Sequence, residues 1–90
     1  MLFMVIERFR DSNAAAVYRC FREKGRMLPE GLNYVDSWVE VNLERCFQLL
    51  ECNDARLLQE WIAQWHDLIE FEVLAVTSSK EATEVLGPLL

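Results

Sequence analysis

The alternation of apolar and polar positions along the chain predicts four β-strands. Residues 2–9 (LFMVIERF) are β-prone and apolar on both parities, so we expect a strand that is buried on both faces. Residues 32–41 alternate strictly, and residues 45–52 follow closely enough to form a hairpin with them. Residues 69–77 form the fourth β-prone run. The four runs together predict one small sheet.

Apolar positions that recur every three or four residues predict helices between these strands. The first helix covers residues 14–24 behind an N-cap at Asn13 or Ser12. Asp54 is the expected cap of a second helix, and Ser78 begins a capping box before a short last helix. The second helix has the broader apolar stripe, made of Leu57, Leu58, Trp61, Ile62 and Trp65.

The order of these elements predicts a fold class. A βαββαβ order with right-handed crossovers gives a ferredoxin-like α+β sandwich, in which one antiparallel sheet carries two helices on one face. We expect a single domain over residues 1–90, with the short last helix added at its end. In the hairpin we pair Val41 with Arg45, which places Trp38 opposite Gln48.

The second face of this sheet has no helix to cover it. On the predicted register it carries more apolar side chains than a protein leaves in water, namely Phe3, Val5, Tyr34, Trp38, Leu50, Leu74 and Val76. We therefore expect two subunits to bring these faces together as a homodimeric α/β barrel.

Three stretches of the chain also resemble a known family. They are FREKGRMLPEGLNYVDSWVE, RCFQLLEC and LLQEWIAQW, in this order. From about Leu2 to Ser79 the chain is similar to a family of short bacterial proteins known only as a domain of unknown function, which itself resembles the dimeric α/β-barrel superfamily of ferredoxin-like folds. That superfamily includes cofactor-less monooxygenases, lactone isomerases and haem-degrading enzymes. The resemblance therefore implies the fold and the pairing of subunits, but it implies no catalytic residues.

Polar side chains on the dimer-facing side of the sheet suggest a site in the barrel lumen. Carboxylates near aromatic walls lose solvation, which raises their pKa toward the range of a general acid or base. We predict Asp36 and Trp38 as catalytic residues and Tyr34, Glu40 and Gln48 as substrate-binding residues. The same side also carries Glu7 and one or both of Glu70 and Glu72. Alternatively, these acids lie at the barrel mouth or pair with Arg8 and Arg45 across the interface.

The other reactive side chains have plainer interpretations. His66 is the only histidine, and we expect it to cap a helix end rather than bind a metal or haem. Cys20, Cys46 and Cys52 are expected to be free thiols in a cytoplasmic protein. No motif for nucleotide binding or acyl transfer is present, so we expect no cofactor.

Composition and charge exclude several classes of protein. A chain with 52% hydrophobic residues is not disordered, and its longest apolar run, residues 2–6, is too short for a membrane helix. No basic segment precedes an apolar one near the N-terminus, so we expect no signal peptide. The net charge of −6 divides into six basic against three acidic side chains over residues 1–26 and three against twelve over residues 27–90.

This uneven charge raises the question of a nucleic-acid partner. The third strand, RCFQLLEC, lacks the glycine and aromatic pattern of an RNA-recognition motif, and an acid-rich sheet repels phosphates. We therefore expect no nucleic acid, and we expect Arg19, Arg22, Lys24 and Arg26 to form a solvated helix face or to approach acids of the C-terminal half.

Two hypotheses about function follow. In the first, the lumen of the dimer binds a small, partly apolar molecule and carries out proton transfer or cofactor-less oxidation. In the second, the chain is a non-catalytic assembly or regulatory module whose sheet face serves only as a subunit interface.

Overall fold

The computed structural model describes all 90 residues and has the predicted order of elements. No helix in it combines the length and the apolar character that crossing a membrane requires. Short 3₁₀ turns lie at Arg10–Ser12 and Gly87–Leu89. The strands and helices in chain order are β1 (Leu2–Phe9), α1 (Ala14–Lys24), β2 (Asn33–Val39), β3 (Arg45–Glu51), α2 (Arg56–Trp65), β4 (Ile69–Val76) and α3 (Ser79–Leu86).

Two of the predicted caps are confirmed directly. The Asn13 side chain accepts a hydrogen bond from the Ala16 N–H at the start of α1, and Ser78 Oγ accepts from the Glu81 N–H at the start of α3. Asp54 lies one residue before the cap position of α2, where its carboxylate accepts from the Arg56 N–H. The local signals that begin each helix are therefore visible in the sequence.

The four strands form one antiparallel sheet in the order β2-β3-β1-β4. This order with the βαββαβ connectivity is the ferredoxin-like arrangement that the sequence predicts. The central strand β1 pairs with β3 on one side and β4 on the other, so Glu7 lies between Cys46 and Phe71. A position in the middle of the sheet explains why β1 is apolar on both parities.

The hairpin register differs from the prediction by one residue. Trp38 pairs with Phe47 rather than with Gln48, and Asp36 pairs with Leu49. A bulge between Tyr34 and Asp36 shifts the register again. Because side chains alternate along a strand, such shifts decide which residues share a face. Tyr34 therefore lies on the side of Ser37, and their hydroxyl oxygens are 2.7 Å apart.

Helices α1 and α2 pack on one side of the sheet, here called the covered face. Its buried cluster joins Val17 of α1 and Trp61 of α2 to Phe3, Val5 and Leu50 of the strands. The prediction that these three strand residues lie on the uncovered side is wrong. The odd and the even positions of β1 are both apolar. The helices cover the odd positions, Phe3 and Val5, whereas the prediction placed the even positions, Met4 and Ile6, under the helices. The rest of the buried cluster is Phe9, Leu32, Cys52, Leu58, Trp65 and Ile69.

The other side of the sheet, here called the open face, has no helix over it. Trp38 is 53% exposed there and Leu74 is 44% exposed. By the strand register, the further members of the open face are Leu2, Met4, Ile6, Arg8, Asn33, Asp36, Arg45, Phe47, Leu49, Glu51, Glu70, Glu72 and Val76.

The last segment of the chain also lacks cover. Every residue from 77 to 90 is exposed, and the apolar side chains of Val85, Leu86, Leu89 and Leu90 face solvent. The radius of gyration is 14.9 Å, against about 12 Å for a compact chain of this length. The α3 segment therefore extends the molecule rather than completing its core.

Candidate functional site

A cleft on the covered face brings α1, α2 and the sheet together. Its cavity volume is about 90 Å³, and it is partly open to solvent. Like small-molecule sites, it combines apolar walls with a few polar groups. Its lining residues are Glu7, Phe9, Val17, Tyr18, Phe21, Arg26, Ser37, Cys46, Gln48, Trp61 and Trp65.

Three polar side chains form a hydrogen-bonded chain in this cleft. Arg26 Nε donates to Gln48 Oε1 at 2.9 Å, and Gln48 Nε2 donates to Glu7 Oε2 at 3.1 Å. Glu7 and Gln48 are each only 5% exposed, and they are the two buried polar residues of the protein. The amide therefore fixes the orientation of the carboxyl group and links it to a cation.

The local backbone explains how Arg26 reaches the cleft. Gly25 ends α1 with a φ of +69°, a conformation that favours glycine, and the chain leaves the helix axis there. The carbonyl oxygen of Arg26 then accepts hydrogen bonds from the indole N–H groups of both Trp61 and Trp65, each at 2.9 Å. Two tryptophans of α2 thus hold the backbone of Arg26 in place.

Aromatic rings hold the side chain of Arg26. The central carbon of its guanidinium lies 3.8 Å from the centroid of the Tyr34 ring and 4.9 Å from that of Phe21. Such stacking attracts a cation without neutralising it. The guanidinium therefore keeps its full charge at the edge of the cleft.

Burial changes the acidity of Glu7 strongly. Loss of solvation raises the pKa of this carboxyl to about 7, although Cys46, Gln48 and the charge of Arg26 each favour the ionised form. Near neutral pH the carboxyl is thus present in both protonation states. A group with this property can accept and donate a proton in the same reaction cycle.

The other groups that could lose a proton in the cleft stay neutral. Burial, helped by the nearby charge of Glu7, raises the pKa of the Cys46 thiol to about 12. Burial also raises the pKa of Tyr18, whose ring meets Phe9 edge to face with centroids 6.2 Å apart. Since a thiol is a poor nucleophile, Cys46 is unsuited to covalent catalysis at neutral pH. Glu7 is therefore the group of the cleft that can exchange a proton.

The structure separates the predicted site residues. Gln48 lines the cleft. Tyr34 does not line it, but its ring stacks on the guanidinium of Arg26, which does. Asp36 and Trp38 lie on the open face. Glu40 lies in the turn after β2, where both its carboxylate oxygens accept from Arg45 at 2.9 Å. The five residues therefore do not form one site within a single chain.

The remaining predicted acids also divide between the faces. Glu7 is on the covered face, whereas Glu72 is exposed on the open face and Glu70 forms a salt bridge with Arg10. Within one chain Glu40 pairs with Arg45 and Glu70 pairs with Arg10, whereas pairing of these acids with Arg8 and Arg45 across an interface stays a prediction.

Sequence reasoning missed Arg26 as a site residue. Arg19, Arg22 and Lys24 are exposed as expected, whereas Arg26 is half-buried and directed to Gln48. A signal was present, because two buried indoles four residues apart on one helix need acceptors for their N–H groups. The glycine that ends α1 marks the nearby segment that supplies the acceptor.

The other reactive side chains lie outside the cleft or have simple partners. His66 follows the last residue of α2, and its Nδ1 lies 3.1 Å from the carbonyl oxygen of Ala63, in agreement with a capping role. All three cysteines are free thiols. No group of three or more histidine, cysteine or acidic side chains is placed to hold a metal ion.

Fold and cleft together define a class: a small ferredoxin-like α+β protein with a protonatable acid enclosed between its helices and its sheet. The family model described as "Domain of unknown function (DUF3303)" matches residues 1–90, and the chain belongs to that family. None of the curated proteins and none of the solved structures compared with the chain matches it significantly.

Proposed function

We propose that this protein binds a small, partly apolar molecule in the cleft and exchanges a proton with it through the carboxyl group of Glu7. The observation that carries this proposal is the burial of Glu7 in a cleft, hydrogen bonded to Gln48, with a pKa of about 7. A buried acid of this kind costs stability at neutral pH, and such costs concentrate at functional sites.

The chemistry follows from the two protonation states. The carboxylate form removes a proton from an acidic C–H or O–H of the ligand, and the resulting acid returns the proton to another atom of the same molecule. Removal of a proton is also the first step of a cofactor-less oxidation in which dioxygen accepts the electrons. Gln48 orients the carboxyl group, and the aromatic walls exclude water from it.

A screen with an internal reporter tests this proposal. Trp61 and Trp65 line the cleft, so the fluorescence of a Trp38→Phe variant reports on the cleft alone. Among small organic acids, phenols and enolisable ketones, we expect compounds whose binding changes this fluorescence and depends on pH around 7 in the presence of Glu7 but not in Glu7→Gln. The matched control is Glu72→Gln, which removes an exposed carboxylate on the open face. The same pH dependence of binding with and without Glu7 would contradict the proposal.

The open face supports a second candidate function, that of an assembly module. The open face exposes Trp38 and Leu74 and places the partly exposed Phe47 beside Trp38, and apolar side chains grouped on a surface mark interaction sites. It also carries Arg8 and Arg45 beside acids, so a two-fold axis can bring opposite charges together. We propose that two copies pair through this face as a homodimer in a reducing compartment such as the cytoplasm.

Pairing of this kind would enclose Asp36 and Trp38 in a lumen, where they remain the proposed catalytic pair for a ligand bound between subunits. Light scattering at micromolar concentration should give twice the chain mass of 10.6 kDa. A Trp38→Glu variant should give the chain mass. A monomeric wild-type protein would overturn the dimer. A ligand whose binding depends on Asp36 and not on Glu7 would move the site to the lumen.

A further inference from the structure

Arg26 is a cation without a counter-ion. The four salt bridges of the protein involve the N-terminus, Arg10, Arg45 and Arg56, and none involves Arg26. Only Nε of its guanidinium donates a hydrogen bond within the protein, to Gln48. The two terminal nitrogens donate none, in a chain whose acids outnumber its basic residues by fifteen to nine.

The guanidinium of Arg26 is half-buried at the cleft, where a charge without a counter-ion indicates a binding site for an anion. A half-buried charge is costly unless something pairs with it. The nearest acid in the hydrogen-bonded chain is Glu7, which the amide of Gln48 separates from Arg26. Tyr34 and Phe21 hold the planar group by stacking, and stacking leaves its terminal nitrogens free. The two terminal nitrogens, which form a planar fork, are thus oriented before any anion binds.

We propose that the ligand of the cleft is a small monocarboxylate with an apolar body, held by its carboxylate on the two terminal nitrogens of Arg26. The inference rests on the proposed function of the cleft and adds the class of its ligand. A guanidinium fork matches the two oxygens of a carboxylate in a planar, paired contact. The aromatic side chains of Phe9, Tyr18, Trp61 and Trp65 then enclose the apolar body.

The charge balance of the cleft favours a single negative charge. Protonation of Glu7 leaves Arg26 as the charged group of the cleft, and one carboxylate neutralises it. The groups that face Glu7 are Cys46 and Gln48 of β3, Tyr18 of α1 and Arg26, while α2 contributes only uncharged indoles. Binding of the anion should therefore strengthen as the pH falls from 8 to 6, and Glu7→Gln should remove this dependence.

The side chain of Arg26 can be changed without removing its anchor. The contact with α2 uses the backbone carbonyl of Arg26, so Arg26→Met keeps both indole hydrogen bonds and an apolar stem. Arg26→Lys keeps the charge but loses the fork. The matched control is Arg22→Met, which removes an exposed arginine of α1 that does not line the cleft.

Titrations with matched acid and amide pairs test the inference. The probes are phenylacetate against phenylacetamide and hexanoate against hexanamide, followed by tryptophan fluorescence in the Trp38→Phe background and by calorimetry. We expect each acid to bind about tenfold more tightly than its amide, because the guanidinium adds a charge-assisted contact. Arg26→Met should abolish this preference, Arg26→Lys should reduce it, and Arg22→Met should leave it unchanged.

The outcomes separate this inference from the proposed function. If amides bind as tightly as acids, or if the preference survives in Arg26→Met, the carboxylate class is wrong, although the cleft still binds ligands through Glu7. Tighter binding of phenyl phosphate than of phenylacetate would likewise overturn it. If no probe binds, the carboxylate class is wrong, and the Glu7-dependent screen decides the proposed function separately.

Discussion

The two faces of the sheet are built from the same strands and yet have different environments. In β1, Val5 is fully buried on the covered face, whereas the alternate residues Met4 and Ile6 lie on the open face and are only partly buried. Both sets are apolar. The difference lies in what packs above each face, because two helices bury one set and nothing in the chain buries the other.

The same contrast governs the acids. Glu7 on the covered face and Glu72 on the open face occupy neighbouring strands, but Glu72 is exposed, whereas Glu7 is buried and loss of solvation raises its pKa to about 7. Chemistry therefore depends less on which residues a sheet carries than on which face the helices cover. Substitutions on the covered face, compared with matched substitutions elsewhere, test this difference.

The largest expected effect comes from removing an aromatic side chain of the covered face. Trp61 is 1% exposed, and Trp61→Ala also removes a hydrogen bond to Arg26, so we expect a loss of about 3 to 5 kcal/mol in the free energy of unfolding. Circular dichroism with denaturant measures it. Trp38→Ala on the open face removes no buried side chain of the monomer. We therefore expect it to lower stability only through weaker dimerisation, an effect that depends on protein concentration. A Trp61→Ala loss below 1 kcal/mol would contradict a core on the covered face.

A smaller effect is expected from the pH dependence of stability. Because the native state binds the Glu7 proton more tightly than the unfolded chain, the contribution of Glu7 to stability is greatest below pH 4.5 and falls until the pH passes 7. The total loss should be about 3 kcal/mol. Glu7→Gln should remove this loss, so the variant should gain stability relative to wild type as the pH rises. Glu72→Gln should retain the wild-type profile, and an identical profile for Glu7→Gln would refute the assignment.

The smallest effect compares helices that do and do not cover the sheet. Asn13→Ala removes the cap of α1 and should cost about 1 kcal/mol of global stability. Ser78→Ala removes the equivalent cap of α3, but global unfolding should barely change because α3 is exposed along its whole length. Denaturant midpoints measure both variants, and equal losses would show that α3 belongs to the core.

The elements of the fold could be predicted because their signals are local. Caps such as Asn13 and Ser78 and the alternation in residues 32–41 are properties of neighbouring positions, and the element order restricts the topology. The family resemblance and the ferredoxin-like fold are both confirmed.

The site could be predicted only in part because its assembly is not local. Glu7, Gln48 and Tyr34 were expected on one face together, and the structure does bring them near Arg26, but on the side of the helices. Strands that are apolar on both parities give no sign of which face the helices will cover. The bulge before Asp36 then separates Tyr34 from Trp38, and no residue type in β2 predicts it.

The protonation of Glu7 is the central claim, and carbon NMR of its side-chain carboxyl measures it directly. The resonance is assigned by its disappearance in Glu7→Gln, and its shift is followed from pH 3 to pH 9. We predict a midpoint about pH 7, far above the ordinary value of 4.5. A midpoint near 4.5 would mean that Glu7 is solvated and ionised at neutral pH, and the cleft would lose its proton-transfer group.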